Sequence, residues 1–238
     1  MVEAKNSERF LNAFSTIEQE MKKILDSGVH LPFFELVNKT SKVNTLIKQV
    51  RFDLKEYGEL RNAIIHNRTD GAVIAEPNDN VVAHIEKVAK LLIEPPKVTP
   101  LFLKEVLTLS ADSPVSKAIK DMSKQVYTQA PILEGDKIVG LLTLKMIVQW
   151  MGLSLDDNSF DIENTTINDL VDAVDHVDSY ELVDVNKSLL EIPDLFYRWQ
   201  DKGDKLEAVL ITQNGEDNEP LKGIITNRDL PLIHRELK

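Results

Sequence analysis

Cysteine does not occur anywhere in the 238 residues, so disulfides and thiolate metal sites are excluded, as suits a reducing compartment. No apolar run approaches the ~20 residues that a membrane helix needs. The N-terminal stretch Met-Val-Glu-Ala-Lys-Asn-Ser-Glu is polar and has none of the apolar core of a secretory signal. These absences predict a soluble, cytoplasmic protein. Among the histidines, His30, His84, His176 and His234 have no carboxylate or histidine at a convincing ligand spacing, so no metal site is predicted. His84 and His234 fall within predicted helices and are expected at the surface.

Clustered basic charge is missing as well. Residues 1–98 carry 14 Lys/Arg and 14 Asp/Glu, whereas residues 99–238 carry 14 against 25, so the net charge of −11 belongs wholly to the second part. A field of that sign repels a nucleic-acid backbone, and no basic recognition helix is visible. General DNA binding is therefore disfavoured; a local RNA site on the neutral part is not.

What remains is an ordinary globular composition, 42% hydrophobic and 28% charged, in a chain long enough for one large or two modest domains. The first part reads as all helix. From Ser7 to Asp26, Phe10, Leu11, Phe14, Ile17, Met21, Ile24 and Leu25 recur at the three-four spacing of one helical face, with Ser7 as N-cap and Gly28 as stop. After a short segment at Pro32–Val37, an amphipathic stretch runs from Ser41 to Ile65 and breaks at the turn residues Asn67–Gly71. A last helix, Asn78–Ile93, ends at Pro95-Pro96, because proline offers no amide and restricts the residue before it.

Beyond Pro100 a β-α-β-β-α order occurs twice. The first copy predicts strands at Val106–Leu109, Pro131–Leu133 and Lys137–Thr143, with helices at Pro114–Lys124 and Leu144–Met151. The second predicts strands at Tyr180–Asp184, Leu206–Thr212 and Leu221–Thr226, with helices at Ser188–Gln200 and Asn227–Glu236. Leu155–Thr166 reads as the link. The fold class is thus α+β: an all-α domain at 1–96, then paired units at 101–152 and 165–238. Trp150, Phe196, Tyr197 and Trp199 fall at helical spacing and read as core or contact residues, not as a base-stacking platform.

Each copy closes on a strand-to-helix turn, Gly140-Leu141-Leu142-Thr143-Leu144-Lys145-Met146 and Gly223-Ile224-Ile225-Thr226-Asn227-Arg228-Asp229. Glycine permits close approach of a backbone or ligand, a hydroxyl beside free amides suits a phosphate, and a carboxylate can accept both hydroxyls of a ribose. Thr226-x-x-Asp229 is equally a capping box, worth ~1 kcal/mol to its helix without any ligand. With Leu109–Ala118 and Ala130-Pro131-Ile132-Leu133, these motifs make residues 101–238 resemble a tandem pair of cystathionine-β-synthase (CBS) domains, a Bateman module. That resemblance implies an adenine nucleotide (AMP, ADP, ATP or cyclic di-AMP) in a cleft. Asp229 would take the ribose, Thr226 a phosphate, backbone near Ala208 the base, and Arg228 or Lys145 further phosphate charge. Met146 stands where the family carries the aspartate, so Thr143 marks a weak second site.

In the helical part, Arg61-Asn62-Ala63-Ile64-Ile65-His66 ends the long helix, and Asn62 and His66 share a face at i,i+4. An arginine followed by a polar residue, with histidine five positions on, in an all-helical context is similar to the HEPN superfamily. The resemblance implies a dimer and, in active members, metal-independent RNA cleavage. His66 would move a proton at the ribose 2′-hydroxyl or leaving group, Arg61 would stabilise phosphoryl charge, and Asn62 would support them. Arginine and histidine at a helix end also serve as plain dipole partners. The leading expectation is a nucleotide-responsive regulator, dimeric, with the helical part as its output; the alternatives are a nucleotide-gated ribonuclease and a scaffold with empty clefts.

Overall fold

A computed structural model describes residues 4–26, 31–66, 68–69, 72–73, 75–156, 160–174 and 179–237, with backbone alone at 66, 68, 69, 72, 73 and 156. Gly28, His30 and His176 lie outside the described residues. The chain forms two compact units, 1–96 and 97–238, and the α+β class is as the sequence indicates.

The helical unit contains α1 (Asn6–Ile24), α2 (Phe33–Thr40), α3 (Thr45–His66), the short hairpin β1 (Arg68–Thr69) and β2 (Ala72–Val73), and α4 (Asp79–Ile93). Phe10, Phe14, Ile17 and Met21 recur every three or four residues along α1 and are buried, which is why this segment is helical and which face it turns inward. α1 and α4 run parallel: Asn6 donates to Asp79 at 2.7 Å, and Arg9 pairs with Glu86 at 2.7 Å. Asn78 caps α4 by accepting the amide of Val81 at 3.1 Å. At the start of α1, the Ser7 amide instead donates to Glu76 at 2.7 Å, and Lys5 is the capping position.

The second unit follows with β3 (Leu109–Ser110), α5 (Val115–Gln125), β4 (Gln129–Glu134), β5 (Lys137–Thr143), α6 (Leu144–Asp156) and α7 (Ile167–Ala173). It is completed by β6 (Tyr180–Asp184), α8 (Ile192–Asp201), β7 (Ala208–Thr212), β8 (Gly223–Thr226), a single 3-10 turn at Asn227–Asp229, and α9 (Leu230–Glu236). Each repeat has a three-stranded sheet in which the first strand pairs parallel with the second and the second antiparallel with the third: β3-β4-β5 and β6-β7-β8. One sheet face packs on the repeat's own helices. The other meets its counterpart, with Ile138 and Leu141 of β5 against Ala208 and Leu210 of β7.

The repeats are interlaced by the segments that precede them. Val98 donates to the carbonyl of Lys187 at 2.8 Å, and Val98 and Phe102 are buried in the second repeat's core with Leu189, Phe196 and Ile225. The exchange is reciprocal: Ile167 donates to the carbonyl of Ser113 at 2.9 Å, and Ile167, Leu170 and Val174 are buried with Val115, Met122 and Trp150 in the first repeat's core. Residues 162–174 are thus more than a link, and α7 is an element the sequence pattern leaves unannounced. Its start is fixed by a complete capping box, in which Asp169 accepts from the Thr166 amide at 2.9 Å and Thr166 Oγ1 accepts from the Asp169 amide at 3.1 Å.

Other departures have local causes. The first predicted strand begins late, at Leu109, because pairing with β4 starts there, opposite Ile132. α8 starts at Ile192 after a turn, with Pro193 in its first positions. The last predicted helix is split into the 3-10 turn and α9, with Pro231 in the first turn of α9, where a missing amide costs least. Trp150 and Phe196 are buried, while Tyr197 faces solvent. Among the described residues every buried side-chain nitrogen or oxygen has a hydrogen-bond partner, and no helix is long and apolar enough to cross a membrane.

Candidate functional site

β8 ends at Thr226 and the chain turns at once into the 3-10 turn. There the Asp229 carboxylate folds back, its Oδ2 accepting from the Thr226 amide at 2.7 Å and from Thr226 Oγ1 at 3.0 Å. Among the described residues its Oδ1 has no hydrogen-bond donor. The strand reaches this point because Gly223 admits the incoming first-repeat segment: a Cβ there would sit 2.1 Å from the carbonyl oxygen of Phe102. Leu103 bridges to Gly223, and Lys104 donates to the carbonyl of Lys222 at 3.2 Å. One close approach therefore brings residues 104–107 beside Thr226-x-x-Asp229.

A cavity of about 350 Å³ opens along this junction. Lys104, Val106 and Leu107, then Val126 and Tyr127 after α5, form its first-repeat wall; Glu207, Ile224, Thr226, Arg228 and Asp229 form the second-repeat wall. Gln129 joins the two, its side-chain amide donating to the carbonyl of Glu207 at 3.1 Å. Of the cations, Lys205 is tied to Glu207 at 2.9 Å. Lys104 and Arg228 are exposed and have no ion-pair partner among the described residues. The enclosed surface thus offers an apolar side, a carboxylate with one unused oxygen, a hydroxyl and two available cations. That set can bind a molecule with a flat apolar part, a diol and negative charge.

Sequence-predicted residues divide accordingly. Thr226, Arg228 and Asp229 line this cavity. Ala208 is fully buried between the two sheets, and its neighbour Glu207 is the residue that lines the cavity. Thr143 is only 8% exposed, and its hydroxyl accepts the Met146 amide at 3.2 Å, capping α6. Met146 is buried in the first repeat's core. No local sequence pattern marks the walls at 104–107 and 126–129, because a connecting segment becomes a wall only when the repeats interlace.

At the end of α3, Arg61 Nη1 donates to the adjacent Asn62 side chain at 3.3 Å. The His66 side chain lies outside the described residues. His84 is not the free surface residue expected: it is half-buried, with Nδ1 2.6 Å from the Tyr57 hydroxyl. Burial, with Asp53 and Glu56 nearby, pushes the Tyr57 pKa up. His234 is exposed.

Val126 is the one unusual backbone in the cavity wall. It ends α5 at φ 56°, ψ 36°, the left-handed region, where an L-residue costs roughly 1–2 kcal/mol and a β-branched one is an outlier. Val126 donates to the carbonyl of Ser123 at 3.2 Å and Tyr127 to that of Met122 at 3.0 Å. This is the helix-ending pattern that glycine usually provides.

Comparison with known proteins places the first repeat. The family model described as CBS domain matches residues 98–152. No curated protein matches the chain. Among solved structures, the chain is similar to a CBS domain-containing protein of unknown function from Bacillus anthracis, at 16% identity and TM-score 0.45, covering 59% of this chain and 94% of that one. It is also similar to CbpB in complex with c-di-AMP, at 13% identity and TM-score 0.45 over 64% and 91% of the two chains. A third is the CBS domain pair of protein MJ0100 in complex with 5′-methylthioadenosine and S-adenosyl-L-methionine, at 16% identity and TM-score 0.43 over 61% and 100%.

Proposed function

We propose that residues 97–238 form a tandem CBS module that binds an adenine nucleotide in the cavity between its repeats, and that the chain is a cytoplasmic regulator. The observation that carries this is Asp229. Its Oδ2 is held by Thr226 while its Oδ1 is unused, and both residues line the same cavity as Arg228 and Lys104. A carboxylate so fixed accepts hydrogen bonds from a ribose diol without losing side-chain freedom on binding. The net charge of −11 does not oppose a phosphate here, because local cations and oriented amides set the potential and distant charges are screened beyond ~8–10 Å. The Thr143 turn is the weaker site: its hydroxyl is committed to α6, and a buried methionine replaces the carboxylate.

The helical unit, with its HEPN-like motif, is assigned the output: dimerisation, partner docking or RNA cleavage. Leu144, Val148 and Leu155 lie exposed along α6, and this uncovered apolar side supports a homodimer. An RNA-cleaving output is checked by incubating the purified chain with RNA, with and without nucleotide. Absence of cleavage in both leaves dimerisation and docking.

Isothermal titration with AMP, ADP, ATP and cyclic di-AMP tests the nucleotide reading. Asp229→Ala is expected to weaken the binding at least tenfold, about 1.4 kcal/mol, while leaving the fold intact. Failure of all four to bind wild type would sink the proposal.

A further inference from the structure

Asn214-Gly215 is the one place in the chain where glycine follows asparagine, and that pair carries its own chemistry. With no Cβ in the way, the glycine nitrogen can reach the side-chain carbonyl carbon of the asparagine. A bond forms between them, the bond from that carbon to Nδ2 breaks, and ammonia leaves with the proton given up by the Gly215 amide. Water then opens the five-membered imide at either carbonyl, leaving aspartate or isoaspartate. Water is the only co-reactant, and Asn214 is exposed to it.

The loop between β7 and β8 cannot shed this chemistry by replacing the glycine. Gly215 has φ 85°, and a Cβ there would lie 3.3 Å from the Asp184 amide nitrogen. Both reacting groups are clamped instead. The Asn214 backbone amide donates to Glu219 Oε2 at 2.6 Å, and its side-chain Nδ2 donates to Glu219 Oε1. One carboxylate thus fixes the carboxamide against its own backbone. The Gly215 amide, which would be the nucleophile, donates to Thr212 Oγ1 at 3.0 Å, and Thr212 is fully buried. Asn214 and the Thr212 hydroxyl also keep the Glu219 carboxyl ionised, holding its pKa below the usual value. We propose that Asn214 is a latent deamidation site, and that Glu219 and Thr212 are the positioning residues that keep it in the amide form. Deamidation replaces the amide donor with a second carboxylate facing Glu219, so the clamp becomes a like-charge contact. The same loop ties the two repeats together. Ile138 donates to the Asp217 carbonyl at 2.7 Å, and Lys137 pairs with the Asp217 carboxylate at 3.3 Å. The conversion therefore loosens this tie.

The test follows ammonia loss and isoaspartate formation at Asn214 by peptide mass mapping, in mildly alkaline buffer at physiological temperature. Folded wild type is compared with wild type unfolded in guanidinium and with folded Glu219→Ala, Thr212→Val and Thr212→Ser. Glu219→Ala loses both charge-assisted hydrogen bonds, and Asn214 is expected to react about tenfold faster than in folded wild type. Thr212→Val frees the Gly215 amide for about a threefold rise, and Thr212→Ser, which keeps the hydroxyl, stays near wild type. Asn164 and Asn186, read from the same digest, are expected to keep their rates, which distinguishes an opened loop from a loosened fold. Three results each overturn the proposal: Glu219→Ala as slow as wild type, folded wild type as fast as the unfolded chain, or equal acceleration at Asn164 and Asn186. The consequence is read separately from the product itself. Asn214→Asp is expected to lower the urea midpoint, and adding Glu219→Gln, which returns an amide to the contact, is expected to recover most of the loss. A midpoint untouched by Asn214→Asp would overturn the like-charge consequence.

Discussion

Thr143 and Thr226 stand at the same place in the two repeats, at the end of the third strand, and each hydroxyl caps the turn that follows it. Thr143 Oγ1 accepts the Met146 amide and starts α6; Thr226 Oγ1 accepts the Asp229 amide in the same way and also donates to the Asp229 carboxylate. The residue three positions on makes the difference. Methionine turns into the first repeat's core beside Ile147 and Trp150, and the turn starts a helix without a carboxylate beside it. Aspartate stays half-exposed at a cavity. The other Thr-x-x-Asp, Thr166 to Asp169, is likewise a full capping box, and neither residue lines the cavity that Asp229 does. The motif alone is therefore a helix start, and its place beside the interlaced segment is what makes it a candidate ligand site.

The harshest way to break this comparison is to give the first repeat the second's carboxylate. Met146 is 6% exposed among apolar side chains, so Met146→Asp buries a carboxyl group with no partner. That is expected to cost ~3–5 kcal/mol, read as a lower urea midpoint by tryptophan fluorescence. Both tryptophans, Trp150 and Trp199, lie in this unit and report on its two repeats. If the variant were as stable as wild type and bound a second equivalent of AMP, one residue would be all that distinguishes the two turns.

The closing glycines give a milder contrast. At Gly223 an added Cβ would meet the Phe102 carbonyl oxygen at 2.1 Å, and backbone cannot swing away as a side-chain end can. At Gly140 the nearest atom is the flexible Ile132 Cδ1 at an ordinary 3.4 Å. Gly223→Ala is expected to lose ~1–3 kcal/mol and to weaken AMP binding by shifting residues 102–107. Gly140→Ala is expected to range from neutral to ~1 kcal/mol more stable, since alanine lowers the entropy of the unfolded chain. Equal urea midpoints for the two variants would show that the repeats do not differ in how closely the chain approaches here.

These contrasts also mark what the sequence makes legible. β5 and β6 have the ends that their apolar runs predict, and α5 is shifted by a single residue, because periodicity and local propensity agree there. Thr226 and Asp229 are legible as a pair, since a capping box is a local pattern. The interlacing is not local. Nothing near Val98 or Ile167 announces that each is buried in the other repeat's core, and for the same reason Val106 and Leu107 look like strand when they are cavity wall. The left-handed state of Val126 was hidden too, since valine ordinarily argues against it. Pro231, by contrast, was a readable sign that the last helix starts later than its first polar residues.

Acid sensitivity separates the repeats by the smallest margin. Asp169, at the start of α7 beneath the first repeat, has its pKa lowered by hydrogen bonds from the Thr166 hydroxyl and amide. Glu219, in the loop between β7 and β8, has its pKa lowered chiefly by the Asn214 amide, which donates at 2.6 Å. In both cases the native carboxyl gives up its proton at lower pH than the unfolded chain does. The stability each contributes is therefore complete above the ordinary carboxylate range, about pH 4, and is lost as pH falls through the lowered native value. Both groups are near solvent, so the effect is a modest slope and not a collapse. Asp169→Asn and Glu219→Gln should each flatten the fall in urea midpoint between pH 5 and pH 2 measured in steps of about half a unit. An acid limb as steep in both variants as in wild type would mean that these hydrogen bonds persist equally in the unfolded chain. A limb flattened by Glu219→Gln alone would place the acid-labile element in the second repeat, whose long loop also ties back to the first where Ile138 donates to the Asp217 carbonyl at 2.7 Å.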